Sequence, residues 1–501
     1  MTSREGTAPL LLNSDAVVGN PALQASRPAA AAAAAIRGAA GREWDVIVVG
    51  GGNAGLVAAI TATEQGRKVL LLESAPRRLR AGNTRHTRNI RCAHDEPDPY
   101  APGEYSADEL LGDLQSVGNG PANPRLAALT VTESRSMLKW MEGHGIRWQA
   151  PLRGTLGLTR TNHFFLGGGK ALANVYYAVA ERIGVTVLYE ARVCDFDFDG
   201  RSFQPIVRGE GEELIRIRSR ATVLSSGGFE ANPGWLKRYW GEAVDSYVVR
   251  GTPHNDGIVL ARLIGLGAAT CGDPQGFHAV AVDARSPKSD GGIATRIDCI
   301  PFGIVVNRNA KRFADEGLDL WPKRYASWGR LIGGQPDQIA YAIIDSQAIA
   351  KFIPPLYPPF KSESISGLAT SLGIEARALE ATVAEFNAHV ESQSALDCGR
   401  LDRMATVGLE PAKSNWARRL DRPPFFGLPL RVGITFTFMG IAVNERAQVL
   451  DSGGQPLPNL FAAGEIMSGN ILTSGYLAGF GMTIGSVFGR IAGQEASRIA
   501  T

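Results

Sequence analysis

The fold class predicted by the sequence is α/β, built around a parallel sheet, and three observations predict it. The apolar run Trp44–Val49 enters the glycine turn Gly50-Gly51-Gly52-Asn53-Ala54-Gly55 and leaves into the Ala-rich stretch Leu56–Ala62. Lys68-Val69-Leu70-Leu71-Leu72 is a second apolar run and ends at Glu73. Two later runs, Ala221–Phe229 and Asn459–Glu465, are each stopped by glycine. Short continuous apolar runs that alternate with helical patterns mark strands buried on both faces.

Composition bounds the rest. The 501 residues are 44% hydrophobic and 20% charged, enough for a large core and more than one domain. This excludes a disordered chain, a collagen-like repeat and a small disulfide scaffold. Lys plus Arg number 52 against 49 Asp plus Glu, so nucleic acid is not an expected partner. Cys92, Cys194, Cys271, Cys299 and Cys398 are scattered and never in CxxC spacing, which points to a reducing compartment and to no metal or iron–sulfur site. No stretch approaches the roughly 18 to 20 apolar residues that span a bilayer, so a soluble, cytoplasmic protein is expected. Residues 1–43, with the run Ala29–Ala35, read as a flexible extension, because poly-Ala has helix propensity but no distinct faces.

The glycine turn carries chemistry. Gly50 permits the tight turn, Gly52 lets backbone approach a pyrophosphate, and Gly55 lets the helix pack on the strand. The helix start at Asn53 and Ala54 then faces the phosphate charge. Glu73, 18 residues after Gly55 and followed by Ser74, is placed to accept from a ribose 2′-OH and to disfavour a 2′-phosphate. FAD and NAD share this fingerprint.

With Asn459-Leu460-Phe461-Ala462-Ala463-Gly464-Glu465, the chain resembles the flavoprotein family of fumarate reductase and succinate dehydrogenase, from about residue 44 to 501. That resemblance implies FAD, in a Rossmann-like domain built from both ends of the chain, 44–278 and 437–501. It also implies an inserted α+β clamp domain, 279–436. Cofactor contacts are implied at Asn83, Thr84, Gly227, Gly228, Gly464, Glu465, Thr483 and Ile484. Some family members attach flavin covalently through a His that falls here at Asn83, so non-covalent FAD is expected. Within the family, Ala81–Cys92, Trp321–Ala326 and Gly475–Gly485 resemble segments of the tricarballylate dehydrogenases. These oxidise a saturated tricarboxylate to the alkene, cis-aconitate in the type case, with hydride passing to flavin N5. Their electrons go on to a membrane-associated iron–sulfur partner.

Read from its residues alone, 81–94 is a basic loop with Arg85, Arg88 and Arg91 at helical spacing and His86 and His94 interleaved. Guanidinium groups pair bidentately with carboxylates and keep their charge, which suits a polycarboxylate substrate for Arg85 and Arg88. They equally suit FAD phosphates or solvent. In the family the proton carrier is an Arg, and Arg324 aligns with it. Since an arginine pKa is about 12.5 or more, that role would need help from Lys323 or Arg312; alternatively Arg324 pairs with Glu316. His278 matches a substrate-binding histidine and Thr295 a substrate-binding threonine. Other positions depart from the family: its second substrate histidine appears as Thr437, its substrate Arg as Tyr476, and its relay acid and Arg as Arg296 and Cys299. These departures move the substrate from fumarate or succinate to another polycarboxylate. Three alternatives stay open: a fumarate reductase-like enzyme, a ketosteroid-like 1-dehydrogenase or ene-reductase suggested by Tyr476–Gly485, and a flavin-bearing electron-transfer subunit.

In the insert, Leu379, Val383, Phe386 and Val390 fall at the spacing of one helix face, with His389 beside them as an ordinary helix residue. Gly168 opens a helix to about Ile183, and Val185–Tyr189 reads as the next strand.

Overall fold

Six strands form the sheet that carries the glycine turn, in the computed structural model, which describes residues 28–499 except 118–119, 151–153, 155, 212, 392 and 394–395. Their order across the sheet is Gln448–Leu450, Pro456–Ala462, Arg218–Leu224, Glu43–Val49, Val69–Leu72, Thr186–Leu188, and only the first pairing is antiparallel. Val49 pairs with both Leu72 and Leu224, and Leu224 with Ala462. Four strands therefore end level, and the residues just beyond them, Gly50, Glu73, Ser225 and Ala463, share one edge. In open parallel sheets that carboxyl edge is where ligands bind.

Both chain ends build this unit. The last helix, Phe480–Ile499, lies along the helix Asn53–Glu64 that follows the glycine turn. Gly489 and Gly493 make the close approach possible, since a Cβ on either would come within 2.5 Å of the Ala54 or Ala58 carbonyl oxygen. Asn53 Nδ2 ties the pair by donating to Ser486 Oγ at 2.9 Å and to the Met482 carbonyl at 3.2 Å. The helix Gly168–Ile183 and strand Thr186–Leu188 complete the expected strand–helix–strand unit beside Val69–Leu72.

A second sheet is organised by the thirteen-residue strand Phe425–Thr437. It runs antiparallel to Phe277–Asp283, Ala340–Ile344 and Phe360–Ser362, and parallel to Val248–Val249. Ile304–Asn307 flanks Ala340–Ile344. The insert expected over 279–436 thus shares its sheet with Val248–Val249, with Phe277 and His278, and with Thr437. The helices Ile365–Leu372 and Ala376–Ala388 cover one side of it, and Leu379, Val383, Phe386 and Val390 are buried there as their spacing predicts.

One expectation is corrected. Residues 30–40 are not a flexible extension but a helix, Ala30–Ala40, which buries Ala33, Ile36 and Ala39. The Ala29 N–H donates to Glu190 at 3.0 Å, and Arg37 donates to Glu213 at 2.8 Å. Two alanine methyls six residues apart with an isoleucine midway between them supply enough of a face to dock. Residues 1–27 lie outside the described residues. Among the described residues no helix is long and apolar enough to cross a membrane.

Candidate active site

A continuous cavity of about 1530 Å³, open mouth included, runs from the carboxyl edge of the first sheet to the end of strand Phe425–Thr437.

At its outer end Gly50 and Gly55 take the turn and packing roles their spacing predicts, and Gly52 leaves open space. Gly50 takes φ +102°, and a Cβ there would overlap the Ser225 carbonyl oxygen. A Cβ on Gly55 would overlap the Gly50 oxygen, so this residue serves helix–strand contact. On Gly52 a Cβ would meet nothing nearer than Thr84 Oγ1 at 3.5 Å, leaving an open cradle at the helix start. Asn53 N–H there donates to Thr84 Oγ1 at 2.8 Å. The Glu73 carboxylate faces the cavity, accepting from Ala75 N–H at 2.8 Å and Ala81 N–H at 3.2 Å. Burial raises its pKa. This open cradle, with an oriented acid one strand away, fits the pyrophosphate and ribose of FAD.

Between the ends lies a pair of buried carboxyls. Asn255 Nδ2 donates to Glu230 Oε1 at 2.8 Å and to Glu465 Oε2 at 3.5 Å, and Asn83 Nδ2 donates to Glu230 Oε1 at 2.6 Å. Burial pushes Glu230 up to about 7. Burial and the Glu230 charge hold Glu465 well above its ordinary value.

The inner end is a cage of cations and phenols. Arg250 is buried, and its one hydrogen bond among the described residues is from Nη2 to Thr435 Oγ1 at 2.8 Å; Nε and Nη1 have no partner. Arg296 donates to Asp298 Oδ2 at 2.7 Å and Arg88 to the same oxygen at 3.5 Å, while Nε of each is unpartnered. Burial and the neighbouring Arg296 charge bring Arg88 and Arg250 each down to about 10, still cationic at neutral pH. Burial pushes Asp298 up, but Arg296 and Arg88 outweigh it and the net shift is downward. His278 lies between two hydroxyls, Nδ1 3.0 Å from Thr435 Oγ1 and Nε2 3.0 Å from Tyr325 Oη. Burial, then the charges of Arg250 and Arg296, hold its pKa well below the usual range, so the ring is neutral. Tyr476 stacks on it with centroids 4.0 Å apart. The pairing register shifts between His278 and Ala279, where the strand meets the cavity.

Many of the expected site residues do line the cavity: Gly50, Gly52, Asn53, Ala54, Glu73, Ser74, Asn83, Thr84, Arg88, Gly227, His278, Arg296, Gly464, Glu465 and Tyr476. Others do not. Arg85, Arg88 and Arg91 were expected on one helical face, but the short helix ends at His86 and the chain then extends through Asn89–Ile90. Arg85 pairs with Asp290 at 3.3 Å instead of facing the cavity, and Arg91 is buried against Tyr105 at 2.7 Å. Thr295 is buried and donates to the Gly292 carbonyl. Thr437 is buried behind the wall, accepting from Phe229 N–H at 3.2 Å, and Thr435, two residues earlier, faces the cavity. Thr483 donates to the Arg91 carbonyl and Ile484 is core, so Met482 and Gly485 form the wall there. Gly228 sits behind the wall, where a Cβ would overlap Glu465 and Thr437.

Arg324 is not brought to the cavity. It is half-buried, its Nε is unpartnered, and burial lowers its pKa against the charges of Asp315 and Asp319. Its expected helpers are engaged elsewhere, Lys323 with Asp113 at 2.6 Å and Arg312 with Glu316 at 2.5 Å. Tyr325, the next residue, lines the cavity. Sequence reasoning missed Tyr325, Arg250, Thr435 and the Glu230–Asn255 pair. For Arg250 the available signal was an arginine directly after an apolar pair and before the turn residues Gly251–Asp256.

The FAD binding domain family matches residues 45–480, and the chain belongs to that family. It is an FAD-dependent oxidoreductase. A probable fumarate reductase of Shewanella frigidimarina is 26% identical over 471 residues, covering 91% of this chain and 75% of the relative. An NADH:fumarate oxidoreductase of Klebsiella pneumoniae is 27% identical over 481 residues, 92% of this chain but only 48% of the relative, so the chain spans about half of that protein. The open conformation of a flavocytochrome c3 fumarate reductase shares the fold with TM-score 0.73 at 22% identity, covering 95% of this chain and 82% of that one.

Proposed function

We propose that the chain oxidises a saturated polycarboxylic acid at the carbon–carbon bond next to a carboxylate, tricarballylate to cis-aconitate in type. The charge balance at the inner end of the cavity carries this reading. Of the three guanidinium groups there, Arg88 and Arg296 share one carboxylate, Asp298, Arg250 holds only the Thr435 hydroxyl, and four of their N–H nitrogens have no partner among the described residues. A buried cation without a counter-charge is costly. A ligand with two or more carboxylates removes that cost and accepts those hydrogens in the bidentate geometry guanidinium favours. An uncharged ketone would leave the surplus in place.

Bound FAD supplies the hydride acceptor. The protein's part is to hold the carboxylates. Arg250 and Arg296 clamp them from the side of His278 and Tyr325, which withdraws electron density from the adjacent carbon and acidifies its hydrogen. Neutral His278 and Tyr476 close the cage without adding charge. Non-covalent attachment of FAD is supported by Asn83, an amide already donating to Glu230 and to the Thr435 carbonyl, and by His86, held at 2.5 Å by Asp290. The sequence carries one glycine-rich nucleotide turn, so reoxidation is assigned to a separate electron-acceptor protein.

The test is anaerobic mixing of the purified yellow protein with tricarballylate, succinate and a 3-ketosteroid. Bleaching by tricarballylate in preference to the others is the expected result; bleaching by the ketosteroid alone refutes the reading. Acid precipitation should release the flavin into the supernatant.

A further inference from the structure

We propose that Tyr325, backed by His278, is the base that takes the substrate's α-proton, at the step for which the family pattern points to Arg324. The inference rests on the reading above, that the inner end of the cavity holds a carbon acid beside its carboxylate. Consecutive residues on a helical turn point about 100° apart, so the turn that brings Tyr325 to the cavity takes Arg324 away from it.

Two contacts hold the phenol directly, and a chain of others holds its partner. The phenol oxygen lies 3.0 Å from His278 Nε2. The imidazole is held in turn by Thr435 Oγ1 at 3.0 Å on Nδ1 and by the stacked Tyr476 ring. Thr435 Oγ1 already accepts from Arg250 Nη2 at 2.8 Å, which anchors the far end of the chain. The Arg296 guanidinium carbon sits 4.8 Å from the centre of the Tyr325 ring; burial pushes the phenol's pKa up, and the charges of Arg296 and Arg250 offset part of that rise.

The step balances as follows. The α-proton passes to Tyr325 Oη while the phenol's own proton passes to His278 Nε2. The hydrogen on the neighbouring carbon leaves with its electron pair as hydride to FAD, and the double bond forms between the two carbons. The imidazolium that results is offset by the substrate carboxylates on Arg250 and Arg296, and its proton returns to water when product leaves. Before substrate binds, burial first and then the charges of those same arginines keep His278 neutral and a poor proton acceptor. The carboxylates offset the arginine part of that penalty, which favours proton removal from the bound polycarboxylate over an uncharged compound.

The experiment is stopped-flow flavin bleaching of anaerobic holoenzyme with tricarballylate, comparing wild type, Tyr325→Phe and Arg324→Ala, with Kd read from perturbation of the flavin spectrum. Tyr325→Phe should retain FAD and bind tricarballylate within about threefold of wild type. Its bleaching rate should fall by about 100-fold or more, the range general-base removal gives, and by at least about tenfold more than in Arg324→Ala. Bleaching within tenfold of wild type, or a larger loss in Arg324→Ala, overturns the assignment. If Tyr325→Phe does not hold FAD, a fluorotyrosine placed at 325 decides. Its more acidic phenol should move the rate–pH profile to lower pH, and an unmoved profile overturns the proposal. If tricarballylate leaves the wild type yellow while succinate or a 3-ketosteroid bleaches it, the substrate reading falls and the same comparison with that compound decides Tyr325. Bleaching by none of them overturns both.

Discussion

Replacing Arg250 by Met separates binding from folding in a way few substitutions can. Among the described residues the guanidinium has one hydrogen-bond partner, Thr435 Oγ1, and two N–H nitrogens left over, in a cavity wall it shares with two further arginines. If those two nitrogens meet a substrate carboxylate, each charge-assisted bond contributes roughly 1.5–3 kcal/mol net. The lower figure gives about 3 kcal/mol for the pair, or about a 100-fold rise in Kd at 1.4 kcal/mol per decade. Folding should respond with the opposite sign. Methionine fills most of the same space, removes a buried cation that lacks a counter-charge, and gives up one hydrogen bond to a hydroxyl. The apoprotein should melt no lower than wild type, while tricarballylate should need about 100 times the concentration to perturb the flavin spectrum. Binding within threefold of wild type would refute the charge argument, whatever the melting temperature does.

Other predictions follow from the same geometry. Gly55→Ala should fail to give folded protein, because its Cβ would overlap the Gly50 oxygen, whereas Gly52→Ala should fold and lose FAD affinity by tenfold or more, its methyl entering the open cradle; thermal melts and FAD titration of the apoprotein check both. Glu230 has its pKa raised by burial from 4.5 to about 7, so the folded state binds its proton more tightly than the unfolded chain, and the group lowers stability as pH rises from about 4.5 through 7. Glu230→Gln should therefore melt higher than wild type at pH 8 and show no such gain at pH 5; equal shifts at both would contradict the buried-acid account. Ile36→Ala should cost about 2–5 kcal/mol, as for other fully buried side chains, in urea unfolding; a cost near zero would show that the helix Ala30–Ala40 is not docked.

The nucleotide half of the site was legible in the sequence because its determinants are local. A tight turn needs Gly50, a close approach needs Gly52 and Gly55, and an acid at the end of the next strand needs only the right spacing. The helix Ala376–Ala388 was legible for the same reason, since its buried face repeats at helical period. Resemblance supplied the pairing of the two chain ends, and the Gly489 and Gly493 contacts give its physical basis.

The reactive end was not local, and there residue-by-residue reading went astray. Arg85, Arg88 and Arg91 look equivalent at three-residue spacing, yet the short helix stops at His86 and sends them in three directions. Arg324 and Tyr325 are neighbours, and a single helical step decides which one meets the cavity. Arg250, His278, Thr435 and Tyr325 come from four separate segments, and nothing in their sequence separation announces contact. By itself the sequence determined the α/β class, the parallel sheet and the phosphate cradle, all set by short-range sterics and hydrophobic period. Tertiary structure alone decided which arginines are left without counter-charges and which hydroxyl faces the substrate, because charge balance and side-chain direction depend on how distant segments pack.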